Sequence, residues 1–409
     1  MAHIETFADV ILPLYVAGTF TYRVPDNYVN QVKTGMRVLV PFGRRKIYSG
    51  IILHLHHSPP SGFQIRDIRS VIDSIPIVNT FQLDFWKWIM DYYLCSPGEV
   101  MKASIPAGLK MESETFYSLK KIPGKDTHLE KEETKVITVL ENKNVLSLKE
   151  LKKQIRLKEL QKWLDMLIAR GILATEERIR EKYRPKTETF VGINDVYLQR
   201  GTLDKLFSSF NRAPKQYNLL QSFLNIMNKT SDEITEVKKQ DLQNIQGYSE
   251  SAFQALTRKN ILTVQKKEIT RLPDTISPIS ALNPLTSVQQ SAFDEIKKIF
   301  QDKKVALLHG ITSSGKTEIY FHLIKEQIRN GRQVLYLLPE IVLTAQIVRR
   351  LKAVFGSLVG IYHSRYSDAE RVETYLNLLG ISSGSPIQII LGARSAIFLP
   401  FNNLGLIIV

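Results

Sequence analysis

The chain has 409 residues, 44% apolar and 23% charged; that length suggests two to four domains, and that balance excludes wholesale disorder and a collagen-like repeat. Lys and Arg number 55 against 40 Asp and Glu, a formal charge of +15, so the surface draws polyanions. A lone cysteine, Cys95, can close no intrachain disulfide or Cys-rich zinc site, no apolar run reaches the ~18 residues of a membrane helix, and the mixed opening MAHIETFADV is no secretory signal, so the expectation is the cytoplasm with no membrane.

Residues 1–110 read as strand-rich. ADVILPLYV, TFTYRVP, GMRVLVPFG and YSGIILHLH are short, β-branched or aromatic, and punctuated by Gly and Pro. FQLDFWKWIMDYYLC then places Phe81, Phe85, Trp88 and Ile89 at helical spacing, and the reading of that stripe is core rather than a base-stacking platform.

The middle is Lys-rich and helical, with a weak internal repeat. Residues 111–200 and 201–270 each predict three helices followed by charged strands, the outline of a winged helix. In the first copy ATEERIREKYRPKTETFVGI is the strand pair. The third helices end alike, at Arg170-Gly171-Ile172-Leu173 and Lys259-Asn260-Ile261-Leu262. A winged helix docks on DNA or serves as a protein-binding spacer, and the sequence leaves both open. Residues 271–284, rich in Pro and Ser, read as a linker.

From 285 to 409 the pattern is α/β. KVALLHG, QVLYLLP, LVGIYHS, PIQIILGA and LGLIIV read as strands, alternating with helices, which predicts a parallel sheet covered on both faces. After the first strand stands Gly310-Ile311-Thr312-Ser313-Ser314-Gly315-Lys316-Thr317, a match to G-x-x-x-x-G-K-[ST]. The glycines let backbone N–H groups wrap an anion, and the helix N-terminus adds partial positive charge. Lys316 reaches β- and γ-phosphates, and the Thr317 hydroxyl suits Mg²⁺. The bland alternative is a Gly-rich turn. Upstream, the Gln289 amide matches the N6/N7 edge of adenine, favouring ATP, or is simply solvated. Downstream, Thr344, Arg394 and Ser395 follow strand ends, where donors to DNA phosphate belong; a cap or salt bridge is the alternative for each. His363-Ser364 reads equally as a cap or a surface contact.

GITSSGKTE, LLPEIVLTAQ, YHSRYSDAER and LGARSAIFLPFNNLGLIIV together resemble the first motor domain of the PriA family of bacterial replication-restart helicases. LPLYVAGTFTYRVP, VLVPFGRRK and DYYLCSPGEV resemble that family's N-terminal domain. The resemblance implies a multidomain fold: a strand-rich domain binding DNA 3′ ends, a winged-helix-like α+β middle and an incomplete α/β RecA-like P-loop domain. It implies a superfamily 2 helicase, unwinding 3′→5′ with ATP and Mg²⁺ at abandoned forks. Implied partners are branched and single-stranded DNA, single-strand-binding protein and primosome proteins, acting on a monomer. Carried over by position, Phe20, Thr21, Gly43 and Arg66 would hold the 3′ end. Thr21 departs from the family's usual Asp. The family's Asp-Glu-Glu-His motif would follow Val409, and its zinc cysteines lie further on, so the expectation is a truncated chain that binds DNA but does not complete ATP hydrolysis. Alternatives are another superfamily 2 translocase or a non-enzymatic docking module.

Overall fold

The computed structural model describes residues 5–409 except 44–45, 60–61, 63–64, 122–128, 156, 158, 181–182, 198–200, 211, 230–235, 273–279, 312–313, 340–344 and 383–384. The chain forms two compact units, one of Met1–Arg184 with Asp274–Val409 and one of Pro185–Pro273.

The first unit opens on an antiparallel sheet. β1 (Thr6–Ile11), β2 (Phe20–Val24), β3 (Arg37–Phe42), β4 (Lys46–His56) and β5 (Ser70–Val71) stand in the order β2-β1-β4-β3-β5. Val10, Val38, Val40 and Ile52 are fully buried within it, as β-branched residues suit a pleated, covered surface. A short helix α1 (Asp26–Val29) precedes β3. At Gly35, φ is +85° and a Cβ would stand 1.9 Å from the Val78 carbonyl, so only glycine fits that turn.

Helix α2 (Thr80–Tyr93) starts at Asn79 and Gln82, which close a capping box, and α3 (Pro97–Ser104) starts at Ser96 and Glu99 with Pro at its first turn. The aromatic stripe of α2 does not form the core. Phe81 is 72% and Trp88 52% exposed, Phe85 and Ile89 are half-buried, and the buried face is Gln82, Leu83 and Trp86. An aromatic helix has apolar residues on several faces, so periodicity alone picked the wrong one.

Next comes a module of β6 (Glu112–Leu119), α4 (Lys131–Lys143), β7 (Val145–Ser147), α5 (Leu148–Gln154), α6 (Leu160–Ala169) and β8 (Leu173–Arg180). Strand β6 lies between β7 and β8. The second unit follows the same order with one helix more: β9 (Lys186–Ile193), α7 (Thr202–Ser208), α8 (Pro214–Lys229), β10 (Glu236–Lys238), α9 (Lys239–Gln243), α10 (Glu250–Arg258) and β11 (Leu262–Ile269), and here β9 lies between β10 and β11. The predicted repeat is therefore a β-α-β-α-α-β unit with one extra helix, α7, in the second copy, and its expected third helices are α6 and α10. The strands drawn as a pair within 173–193 do not pair with each other. β8 runs antiparallel along β6 and β11 along β9, each over eight residues, so each strand that follows a third helix returns to its own module's first strand. The break between modules falls at Arg184/Pro185, earlier than the expected 200/201.

The two third helices end identically. Gly171 and Asn260 adopt left-handed φ of 70° and 53°. Ile172 N–H donates to Leu167 O, and Ile261 N–H to Leu256 O, each at 3.0 Å. That is a Schellman closure, which steers Ile172-Leu173 and Ile261-Leu262 into their cores.

The C-terminal part of the first unit holds α11 (Ser287–Asp302), α12 (Lys316–Arg329), β12 (Gln333–Leu337), α13 (Ala345–Phe355), β13 (Val359–Tyr362), α14 (Asp368–Leu378), β14 (Ile389–Gly392) and β15 (Leu404–Ile408). The strands form a parallel sheet in the order β13-β14-β12-β15, with Val334, Ile389, Ile390 and Leu391 completely buried. KVALLHG, expected as the first strand, has no ladder partner among the described residues. Burial alternates along it: Val305 and Leu307 are exposed, Ala306 and Leu308 pack on the core. A cleft of about 980 Å³, lined by Val305, Leu307, Leu404 and Ile407 among others, opens between this segment and β15. Ladder bonding needs strands about 4.8 Å apart, so the pattern is a strand's but the pairing is not made.

Candidate functional site

Residues 310–317 lead from that segment into α12. Gly315 is the N-cap, with φ +83°. A Cβ there would stand 2.2 Å from Gln289 Nε2, and one on Gly310 would stand 2.8 Å from Ser314 Oγ. A side chain at either glycine would therefore crowd a neighbouring side chain. Lys316 Nζ donates back into the loop, to Gly310 O at 2.5 Å and Ile311 O at 2.9 Å. The ammonium is thus held by two backbone carbonyls of the segment that precedes its own helix. Thr317 is half-buried in the first turn of α12, and beside it Glu318 pairs with Arg350. Thr312 and Ser313 lie outside the described residues.

Gln289 is brought to the same loop. It is the third residue of α11, where its Oε1 accepts from Thr286 N at 2.9 Å while Thr286 Oγ1 accepts from its N–H at 3.3 Å. Its Nε2 faces Gly315 O at 3.5 Å. The amide therefore caps α11 and touches the 310–317 segment at Gly315, and its oxygen keeps one further lone pair.

Arg394 and Ser395 stand exposed at the start of a 3₁₀ turn, Arg394–Phe398, directly after β14. That is the carboxyl edge of the parallel sheet, where ligands of such sheets gather. Thr344 lies outside the described residues. His363 Nδ1 accepts from Arg365 N at 3.0 Å, and its ring lies 4.6 Å from Tyr366, so it shapes the turn after β13.

In the N-terminal sheet three of the four expected end-binding residues converge. Arg66 Nη1 donates to Gly43 O at 2.6 Å. Gly43 has φ +65° with open space where a Cβ would be. Phe20 meets Phe42, the neighbour of Gly43, edge-on at 4.8 Å. Thr21, by strand alternation, points to the opposite face from Phe20 and Tyr22. Its hydroxyl donates to Asp9 Oδ1 at 2.6 Å, an oxygen that His56 Nε2 approaches to 3.4 Å. Asp9 was not singled out from the sequence; the β1–β2 register, which sets Asp9 opposite Thr21, is the signal that finds it.

Tyr22 lies under this site and donates to Pro41 O at 3.1 Å. Burial pushes its phenol up to about 12, while the Arg66 charge pulls the other way. Burial likewise lifts Tyr336 on β12 to about 12. A phenol whose folded value exceeds its unfolded one, near 10, leaves stability intact below pH 10 and removes it as pH climbs toward 12. Each is expected to contribute a loss of up to about 2–3 kcal/mol. Thermal melts between pH 9 and 12 should show that fall, and Tyr22→Phe should flatten it; an unchanged alkaline slope in Tyr22→Phe would assign the fall to other groups.

Three family models match the chain in sequence: a 3′ DNA-binding domain of PriA over residues 9–106, a winged helix domain of PriA helicase from Bacteroidota over 188–269, and a DEAD/DEAH box helicase domain over 286–409. The chain is 29% identical over 411 residues to replication restart protein PriA of Bacillus subtilis, covering 98% of this chain and 48% of that protein. In domain content and order the chain is PriA-like.

PriA of Synechocystis is 27% identical over 405 residues, 96% of this chain and 45% of that protein. PriA of Chlamydia pneumoniae is 46% identical over 126 residues, 30% of this chain and 16% of that protein. The chain spans about half the length of the PriA relatives it matches end to end. The PriA winged-helix match falls wholly within the second compact unit. The similar module of β6 to β8 lies outside all three matched ranges. Among the described residues no helix is long and apolar enough to cross a membrane, and no group of three His, Cys, Asp or Glu could hold a metal.

Proposed function

We propose that this chain supplies the nucleotide-binding and 3′-end-binding parts of an ATP-driven 3′→5′ DNA helicase that recognises abandoned replication forks and starts replisome reloading. The observation that carries this reading is that one compact unit holds both the 310–317 loop and the Gly43–Arg66 site. A generic translocase would need only the first.

Nucleotide binding rests on Lys316, which exchanges two carbonyls for β- and γ-phosphate oxygens, with Gly310, Ile311, Ser314 and Gly315 presenting backbone to the same anion. Thr312 and Ser313 complete the loop. Thr317 would hold Mg²⁺, and Gln289 would meet adenine. Bound Mg²⁺ neutralises charge on the phosphates and fixes their geometry. Arg394, Ser395 and Thr344 meet DNA phosphates. Arg66 meets the terminal phosphate and Phe20 stacks on the last base, while Asp9 orients Thr21. Single-strand-binding protein and primosome proteins are the partners of this reading, in the cytoplasm, on a monomeric chain.

The test is binding to synthetic forks with a free or a phosphate-blocked 3′ end, across a salt series. Free ends should bind more tightly, and affinity should fall by nearly one logarithmic unit per logarithmic unit of salt for each phosphate contacted. Equal affinity for the two ends would leave a generic translocase; no salt dependence would leave the basic surplus as a solvated face.

A further inference from the structure

The capping box of α2 uses only half of each of its amides. Asn79 Oδ1 accepts from Gln82 N at 2.9 Å, and Gln82 Oε1 accepts from Asn79 N at 3.1 Å. Both side-chain oxygens are then committed to the helix. The two NH₂ groups reach elsewhere: Asn79 Nδ2 donates to Phe401 O at 2.9 Å, and Gln82 Nε2 donates to Phe398 O at 2.8 Å. Those carbonyls lie within the segment that opens with Arg394 and Ser395.

A reciprocal bond runs the other way. Tyr375 on α14 donates its hydroxyl to Ile77 O at 3.0 Å. Tyr375 is completely buried, and Gln82 is 6% exposed. Phe85 lies 6.0 Å from Phe398, and a Cβ on Gly108 would stand 2.7 Å from Val372 of α14. The contact is close, fully buried at Tyr375 and half-buried at Asn79, and buried hydrogen bonds are strong while unpaired buried carbonyls are costly. Helix capping does not explain the amides, because Asp at the N-cap and Glu three residues on close the same box with oxygens alone. Gln82 Nε2 also donates to the Tyr375 hydroxyl at 3.4 Å, so the nitrogens serve the 398–401 carbonyls and α14 rather than the cap.

We propose that Asn79, Gln82 and Tyr375 are positioning residues that latch the 3′-end-binding sheet to the 394–401 segment, so that one DNA strand meets the Arg66 and Arg394–Ser395 donors as a single preset track. The inference rests on the DNA-binding reading above. Two sites held on one body act on a strand long enough to span them with a high effective concentration, and a short strand filling one site gains nothing from that.

The variant N79D/Q82E in the full 409-residue chain keeps both cap acceptors and removes both donors. Tyr375→Phe removes the third bond and keeps the ring. The probes are a 5′-labelled trinucleotide and a 5′-labelled oligonucleotide of about 25 nucleotides, each with a free 3′ end, read by fluorescence anisotropy. The trinucleotide should bind both variants within about twofold of wild type, while the long strand should lose at least about tenfold in N79D/Q82E. A melting curve reports whether each variant is folded. Long-strand affinity unchanged in folded variants would overturn the latch and leave the DNA sites standing. Equal losses for short and long strands would overturn it too, by showing damage at the end site. Wild type binding neither strand would overturn the DNA reading itself, and the latch with it.

Discussion

Lys316→Ala is expected to weaken Mg-ATP binding by about 100-fold with the fold intact. Two charge-assisted hydrogen bonds to phosphate are lost, at about 1.5–3 kcal/mol each, partly offset because the free loop no longer breaks two carbonyl contacts to bind. Those contacts, to Gly310 O and Ile311 O, are at best half-buried, so their loss should shift stability by no more than about 1 kcal/mol. Titration with a fluorescent ATP analogue, with and without Mg²⁺, measures the first quantity and a thermal melt the second. Wild-type binding that survives the substitution would place the nucleotide elsewhere. Binding absent from wild type would reduce the loop to a turn.

Phe20→Ala should cost about 5- to 150-fold in affinity for DNA carrying a free 3′ end, from base stacking worth about 1–3 kcal/mol. The ring also packs edge-on against Phe42, and losing that pair should lower stability by about 0.5–1.5 kcal/mol. The two effects separate by substrate. DNA with a blocked 3′ end should bind variant and wild type alike, whereas a packing defect alone would weaken both. Thr21→Val is the companion: its hydroxyl is spent on Asp9, so a large loss there would mean that the Asp9–Thr21 pair, and not the Phe20 face, reads the terminus.

What could be read in advance divides by how local the cause is. The turn that leads into α12 at Gly315 was legible because its glycines, lysine and threonine fall within eight residues, ahead of a helical pattern. Strands β12 to β15 were legible because buried parallel strands are apolar throughout. The third-helix ends at Gly171 and Asn260 were visible as a repeat, since a left-handed residue before two apolar ones needs few neighbours to explain it. Partner choice was not legible. Nothing in LATEERIR states that it will run along residues 112–119. The 305–310 segment carries a strand's alternation without a strand's ladder. The faces of α2 were misassigned because Phe81 and Trp88 are as apolar as Leu83 and Trp86, and burial was decided by residues far along the chain. Asn79 and Gln82 read as a cap, and their second use appears only once Phe398 and Phe401 are beside them.

The bonds from Asn79 to Phe401 and from Tyr375 to Ile77 span 322 and 298 residues of sequence. A ribosome adding roughly 5–20 residues per second takes about 15–60 s to cross that interval. Through that time the sheet of β1 to β5 can fold, yet the polar start of α2 and its neighbours have no counterpart to meet. The nascent domain thus waits with a docking face uncovered while the whole second unit, Pro185–Pro273, is made and folds in between. Slow translation over residues 185–273 would lengthen that exposure, and a chaperone that shields the start of α2 would shorten its effect.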